Sequence, residues 1–286
     1  MKKYISGWGR NILSEANISY PKNLNQLKKK IKKNCIARGL GRSYGDSSIQ
    51  PKSTIVTTCL DRIIHFDKKK GVIELESGVT ITSLLNLIVK EGWFLPVTPG
   101  SKKITIGGMI ASDIHGKNHH KVGSFSNFVL GLKLVNSQKK LINCNRKKNS
   151  QIFSFTIGGM GLTGIIYSCR IKLKKINSPY IITETIKNFN LKETLKSIDK
   201  SKNWDYNVAW IDTSPNKNQL GRSILTRGYF SKKKDNDIFF REKKFLISNL
   251  PNFFPSWFMN NFFINFLNDI YFMFSSSSKK VLGIDD

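Results

Sequence analysis

The sequence predicts an α+β fold in two parts. In residues 1–175, short stretches of alternating apolar and polar residues indicate strands, and a few apolar stripes of helical spacing lie between them. Three glycine-dense stretches, at 37–46, 105–116 and 157–166, fall within this first part. Beyond residue 176 the glycines become sparse while strand and helix patterns continue, which indicates a second domain over 176–286. A chain of 286 residues is long enough for one large or two modest domains.

The individual elements follow from local patterns. Three lysines and a glycine at 68–71 predict a hairpin turn ahead of a strand at 72–76. Leu84, Leu85 and Ile88 share one face of a predicted helix over 80–91, and a strand is expected at 94–97. In the second part we expect a strand at 180–185, a helix at 191–200 and a strand at 208–211.

The three glycine-dense stretches predict a cradle for a dinucleotide. Glycine has no Cβ, so it adopts positive φ readily and lets backbone N–H groups approach the phosphates of a ligand. Each stretch is flanked by apolar β-branched residues, and a glycine inside a regular element costs about 0.5–1 kcal/mol. Turns and bulges of a β-rich fold are the alternative, but three such stretches in one domain favour a ligand site.

The surroundings of the glycines indicate which kind of dinucleotide site this is. Gly159, Gly161 and Gly164 form a G-x-G-x-x-G pattern, which in a nicotinamide site must open a helix. Here the pattern runs directly into a predicted strand at 165–173, and the first stretch likewise lies between strand patterns. We therefore expect phosphates to be held by loops between strands, which is a different architecture from the doubly wound fold.

The order of the motifs resembles a known family. The runs ARGLGRSYGD, DIHGKNHH followed by GSF, and TIGGMGLTGII are similar to those of the FAD-linked oxidases of the p-cresol methylhydroxylase and vanillyl-alcohol oxidase type. Within that type they most resemble the decaprenylphosphoryl-β-D-ribose 2′-oxidase group, over about residues 7 to 230. The resemblance implies a two-subdomain FAD-binding fold over 1–175, followed by a substrate domain. Members of the family continue past the position of Asp286, so we expect the substrate domain, 176–286, to be incomplete.

The resemblance also implies a set of site residues. It assigns His115 and Lys117 to the catalytic site beside the flavin and substrate, although a lone His beside a glycine is often only structural. Many relatives attach the flavin through a His where this chain has Tyr44, so non-covalent FAD is expected. The residues implied in cofactor binding are Ala37, Arg38, Gly39, Leu40, Gly41, Arg42, Ser43, Tyr44, Gly45, Asp46, Gly100, Thr105, Ile106, Gly107, Gly108, Ser112, Asp113, Ile114, His115, Gly116, Gly161, Gly164 and Ile166.

The activity implied by the resemblance is FAD-dependent oxidation of a secondary hydroxyl on a sugar. The substrate class it favours is a polyprenyl-phosphate pentose, oxidised at the 2′ position as the first half of an epimerisation in cell wall polysaccharide biosynthesis. A separate NAD(P)H-dependent reductase would complete that epimerisation. Two alternatives stay open: an oxidase or dehydrogenase of a soluble polyol or sugar lactone, and a truncated FAD-binding remnant without turnover.

Composition limits the other classes of function. The net charge of +28, from 47 basic and 19 acidic residues, invites a polyanion or an anionic membrane surface, but no motif of interleaved basic and aromatic residues indicates nucleic acid. Four cysteines without C-x-x-C spacing predict reduced core thiols, and adjacent His119 and His120 lack the further ligands of a metal site. No apolar run follows Met1-Lys2-Lys3, so a cytoplasmic location is expected.

The segment 251–274 differs from the rest of the chain because it is rich in phenylalanine. Spacing of four residues along Phe254, Phe258, Phe262, Phe266, Ile270 and Phe274 predicts amphipathic helix, and interruption by Asn and Asp argues against a membrane span. One interpretation is a core or lid helix of the substrate domain. The other is a surface that meets a membrane or a lipid tail, helped by nearby Lys243, Lys244, Lys279 and Lys280, and peripheral at the inner face of the membrane.

Overall fold

The computed structural model describes residues 1–213, 220–232 and 260–283. The chain divides into two compact units, Met1–Lys175 and Ile176–Asp286. The first unit contains, in chain order, β1 (Lys2–Ser6), β2 (Leu13–Ser19), α1 (Leu24–Lys30), β3 (Ile36–Arg38), β4 (Thr54–Val56), β5 (Ile63–Asp67), β6 (Val72–Glu76), α2 (Ile81–Ile88), β7 (Trp93–Phe94), α3 (Ile106–Ala111), α4 (His119–Val122), β8 (Val129–Val135), β9 (Leu141–Cys144), α5 (Ser150–Thr156), β10 (Ile165–Lys172) and β11 (Lys174–Lys175).

Two sheets organise the first unit. The smaller has the order β1-β2-β4-β3, with β1 antiparallel to β2 and with β4 parallel to both β2 and β3. The larger is antiparallel throughout, with the order β5-β6-β10-β8-β9. One face of the larger sheet, with Leu75, Cys169 and Leu132, joins α2 and α3 in the main hydrophobic core. The predicted α+β class and the two-subdomain arrangement agree with these two sheets.

Most of the elements predicted in this unit form, with adjusted bounds. Leu84 and Ile88 are buried on α2, which Thr80 caps by accepting a hydrogen bond from the N–H of Ser83. The strand expected at 94–97 is shorter, since only β7 forms there. The G-x-G-x-x-G pattern runs into β10 as expected, so it opens no helix.

The second glycine stretch contains a helix that the sequence analysis did not predict. Residues 106–111 form the helix α3, although Gly107 and Gly108 are poor helix formers. Ile106, Met109 and Ile110 have the spacing of one helical face and are all buried. Their burial outweighs the low propensity of the two glycines.

The described residues of the second unit form a sheet with two helices. In chain order they contain β12 (Tyr180–Asn188), α6 (Leu191–Lys200), β13 (Tyr206–Ile211), β14 (Ser223–Phe230), α7 (Asn261–Phe274) and β15 (Ser278–Gly283). The strands follow the order β13-β14-β12-β15 and are antiparallel, and α6 has the bounds predicted for it.

Helix α7 contacts the rest of the second unit through Asn268, Asp269 and Phe272, and several of its described aromatic residues are exposed. Arg222, which is buried, pairs with Asp212 at 2.7 Å and with Asp269 of α7, and its guanidinium lies 4.8 Å from the ring centre of Phe272. Phe272 is the one residue of α7 that is buried. Members of the predicted stripe such as Phe262, at 83% exposed, face outward. The positions Phe254, Phe258, Lys243 and Lys244 lie outside the described residues.

Candidate cofactor site

A cleft in the first unit brings the three glycine-dense stretches together. Its walls come from the loop after β3, from the start and end of α3, and from the loop that leads into β10. We call it the glycine cleft. It is lined by Ala37, Gly39, Leu40, Gly41, Arg42, Ser43, Ser47, Ser48, Thr57, Ser77, Ile104, Thr105, Gly107, Gly108, Ala111, Ser112, Ile114, Met160, Gly161, Gly164 and Ile166.

Missing side chains at two glycines let the walls of the cleft approach each other. A Cβ added to Gly39 would lie 2.3 Å from the Oγ1 of Thr105. The first glycine-dense stretch therefore packs directly against the second at this point. A Cβ added to Gly107 would lie 2.7 Å from the Cβ of Ser77. Both distances are shorter than real Cβ contacts, so any larger residue must displace a wall of the cleft.

The N–H groups of α3 and those of the first loop differ in what they can offer a ligand. In the first turn of α3, Ile106 donates to the carbonyl of Val79, Gly107 to that of Ser77, and Gly108 to the Oγ1 of Thr105. These three donors are therefore already used, and this turn lines the cleft by close approach. By contrast, the backbone N–H groups of 39–43 donate to no acceptor within the described part of the chain. The first loop is thus where donors remain for phosphate oxygens.

The third stretch is held against the second by short contacts. Met160 donates its N–H to the carbonyl of Ala111 at 2.9 Å, and the Oγ of Ser112 lies 3.7 Å from the Sδ of Met160. Gly164 has a φ of +140°, a conformation that L side chains rarely adopt, and it turns the chain into β10. This turn leaves Ile166 buried against the cleft.

The segment after α3 fixes the loop that carries the two predicted catalytic residues. The carboxylate of Asp113 accepts hydrogen bonds from the Oγ of Ser124 and the N–H of Ser126, both at 2.8 Å. Asn118 is buried and donates from Nδ2 to the carbonyl of Pro96 at 2.7 Å. The loop between these anchors is therefore held at both ends.

His115 and Lys117 lie on this anchored loop with exposed side chains. Ile114, which lines the cleft, immediately precedes His115. The ring of His115 meets that of His119 edge to face, with centres 5.6 Å apart. Both predicted catalytic side chains thus adjoin the glycine cleft without lining it.

Several predicted cofactor residues have other contacts. Arg38 donates to the carbonyl of Ser6 at 2.7 Å and to the Oγ of Ser48, and its burial lowers its pKa. The side chain of Tyr44 is 77% exposed and packs edge to face on Trp8. The predicted residues that do not line the cleft are Arg38, Tyr44, Gly45, Asp46, Gly100, Ile106, Asp113, His115 and Gly116.

Sequence reasoning also missed residues that line the cleft, namely Ser47, Ser48, Thr57, Ser77, Ile104, Ala111 and Met160. Ser47 and Ser48 directly follow the first glycine stretch, so their position in the sequence could have indicated them. Ser77 has no such signal, because only the fold brings it to Gly107.

Beside Ser77, a buried carboxylate is held in its charged form. Glu76 is buried, which favours its neutral form, but the side chain and backbone N–H groups of Arg62 donate to it. The hydrogen bonds outweigh the burial, so the pKa of Glu76 lies below its ordinary value of 4.5.

Comparison with known proteins identifies this region. Residues 21–145 match the family described as FAD binding domain, and most of the glycine cleft falls within that match. This region is therefore similar to an FAD binding domain. The predicted resemblance to FAD-linked oxidases is therefore confirmed, together with the fold class and FAD as the cofactor.

Relatives of known activity include several oxidoreductases. The decaprenylphosphoryl-β-D-ribose oxidase of Mycolicibacterium smegmatis is 31% identical over 91% of this chain and 60% of its own length. The L-gulonolactone oxidase of Mus musculus is 25% identical over 62% of this chain and 40% of its own length. The D-lactate dehydrogenase of Anaerostipes hadrus is 28% identical over 54% of this chain and 33% of its own length. The chain thus spans less than two thirds of the length of each of these relatives.

The glycine cleft fits FAD by its own chemistry. The first loop offers unused N–H donors, and two glycines leave space where any side chain would collide. The Oγ of Ser77, which is buried, has no hydrogen bond partner among the described residues. Buried hydroxyls normally have partners, so this cleft is suited to a ligand that supplies one.

Proposed function

We propose that this chain is the FAD-binding part of an oxidoreductase that oxidises a secondary hydroxyl of a sugar. The observation that carries the proposal is the 31% identity to the M. smegmatis oxidase over 91% of this chain, which includes residues of both units. The substrate we propose is a polyprenyl-phosphate pentose, oxidised at its 2′ hydroxyl. A separate NAD(P)H-dependent reductase would then complete an epimerisation.

The proposed roles in the first unit combine the family resemblance with the contacts of the cleft. When bound, FAD supplies a flavin ring that accepts a hydride. The N–H donors of 39–43 orient its diphosphate, and Ile166 meets its adenine side. His115 forms the hydrogen bond to the substrate hydroxyl, and Lys117 attracts an anionic group on the substrate. Both side chains are exposed on a loop anchored by Asp113 and Asn118, so they have a fixed backbone and free access to a substrate.

A lipid-linked substrate is supported by the surface of α7. Phe262, Phe266 and Phe274 are exposed on this helix at 83%, 52% and 79%. Exposed aromatic residues near lysines favour contact with an anionic lipid surface or a lipid tail. No helix in the described ranges has the length and apolar character that crossing a membrane requires. We therefore propose peripheral contact with a membrane through α7.

The first test is the visible absorption spectrum of the purified 286-residue chain, before and after precipitation with acid. Because Tyr44 stands where a covalent link would need His, the expected result is flavin absorption that moves to the supernatant. Flavin that stays in the pellet would contradict non-covalent binding. Oxidation of a polyprenyl-phosphate pentose is then measured with an artificial electron acceptor, and H115A is expected to lower kcat without releasing the flavin.

A second candidate function is oxidation of a soluble polyol, sugar lactone or hydroxy acid. Similarity to L-gulonolactone oxidase and D-lactate dehydrogenase favours it, although each match covers less of the chain. The F262S/F266S variant of α7 separates the two candidates. Turnover of the lipid-linked sugar by the wild type that the variant loses supports the first candidate. Equal turnover of a soluble substrate by both proteins, with no turnover of the lipid-linked sugar by either, supports the second.

A further inference from the structure

We propose that the hydroxyl of Ser77 is a direct ligand of bound FAD and hydrogen bonds to its adenosine diphosphate half. Ser77 lies immediately after β6, outside the three glycine-dense stretches. It is 1% exposed, and its Oγ has no partner within the described residues. A buried hydroxyl in this state loses its hydrogen bonds to water and gains nothing in return.

Hydrogen bonds on both sides fix the backbone of Ser77 in the wall of the cleft. Its N–H donates to the carbonyl of Tyr167 at 2.9 Å, and its carbonyl accepts from Gly107 at 2.8 Å. A Cβ on Gly107 would lie 2.7 Å from the Cβ of Ser77, so this glycine keeps the space beside Ser77 open. The hydroxyl therefore lies in the wall of the glycine cleft, where a ligand that enters can reach it.

The neighbours of Ser77 indicate which half of FAD it meets. Gly107 is in the first turn of α3, and Ile166 is adjacent to Tyr167, the acceptor of the Ser77 N–H. Both line the same cleft as the unused N–H donors of 39–43, which suit phosphate oxygens. Phosphate and ribose oxygens are strong acceptors for a serine hydroxyl. The inference rests on the FAD site and not on the identity of the substrate.

Ser168 provides a matched control. It is also fully buried with an Oγ that lacks a partner in the described structure, and it lies on β10 of the same sheet. Its hydroxyl lines a different hollow, together with Glu74, Lys133 and Arg170. S168A therefore removes the same chemical group from a similar environment outside the glycine cleft.

The experiment is calorimetric titration of the apo form of the 286-residue chain with FAD, and separately with ADP, for wild type, S77A and S168A. We expect S77A to weaken both ligands roughly tenfold, which is the size of one hydrogen bond to a charged group, and S168A to change neither by more than about twofold. Melting of the apo proteins is the second measurement. Both variants are expected to melt at or above the wild-type temperature, because neither hydroxyl has a protein partner to lose.

Four results would overturn the inference. Wild-type affinity in S77A would mean that the hydroxyl does not touch the cofactor. An equal loss in S77A and S168A, or a lower melting temperature of apo S77A, would mean that Ser77 acts through the fold. Binding of FAD by the wild type in any of these cases would leave the proposed function intact. A wild-type chain that binds neither FAD nor ADP would contradict the cofactor site as well as the role of Ser77.

Discussion

Gly107→Ala tests whether close approach of chain segments builds the glycine cleft. The added Cβ would lie 2.7 Å from the Cβ of Ser77, a distance that real Cβ atoms essentially never show, and 3.0 Å from its carbonyl oxygen, which is tighter than most real Cβ contacts. Overpacking of this kind costs about 1–3 kcal/mol. Alanine recovers up to about 1 kcal/mol of helix propensity relative to glycine, so the net loss in free energy of unfolding is about 1–2 kcal/mol.

Gly108→Ala is the matched control, because it makes the same change one residue later in the same helix. There the added Cβ meets only the Oγ1 of Thr105, at 3.2 Å, and that side chain can adjust. The expected change in stability is between zero and about 1 kcal/mol in favour of the variant. Urea denaturation of the two apo variants measures the difference, which we expect to be about 2 kcal/mol. Equal stabilities would refute the close contact between α3 and the segment after β6.

Three further outcomes follow from the described contacts. Because the pKa of Glu76 is depressed in the fold, its stabilising effect is complete above the ordinary value of 4.5 and is lost as pH falls through the folded pKa. The E76Q variant should therefore lose less stability in acid than the wild type, as measured by denaturation at several pH values. R222M leaves the buried Asp212 without its cation and should cost about 3–5 kcal/mol in urea denaturation, and a loss below about 1 kcal/mol would contradict the buried pair. Cys169 is buried, which raises its pKa and slows its reaction with a thiol reagent, whereas Cys35 is partly exposed. Labelling of the native protein should therefore have a fast phase that C35S reduces and C169S leaves unchanged.

The glycine cleft was accessible to sequence reasoning because its signals are local. Glycines such as Gly39 and Gly161 mark loops where a ligand approaches the backbone, and the strand pattern after Gly164 excludes the helix of a nicotinamide site. The helix α3 was missed because Gly107 and Gly108 argue against it. The spacing of the apolar residues Ile106, Met109 and Ile110 after Thr105 was the signal that could have indicated it.

Predictions failed or stayed open where the outcome depended on distant residues. The spacing of Phe262 and Phe266 indicated an amphipathic helix, but it left open which side of that helix would be buried. Asn268, Asp269 and Phe272 face the sheet because the buried Arg222 needs the carboxylates of Asp212 and Asp269 once it is removed from water. Nothing within α7 itself contains that information.

The sequence by itself determined the fold class, the family and FAD, since each rests on patterns among residues close together in the chain. Tertiary structure alone decided which atoms meet the cofactor cleft. In the folded chain, the N–H groups of Gly107 and Gly108 donate to acceptors within the protein, whereas those of 39–43 do not. The fold also places Ser77 next to Gly107, which lies 30 residues later in the chain. The physical reason is that hydrogen bond satisfaction and close packing are settled between segments, after the local preferences of each segment have been met.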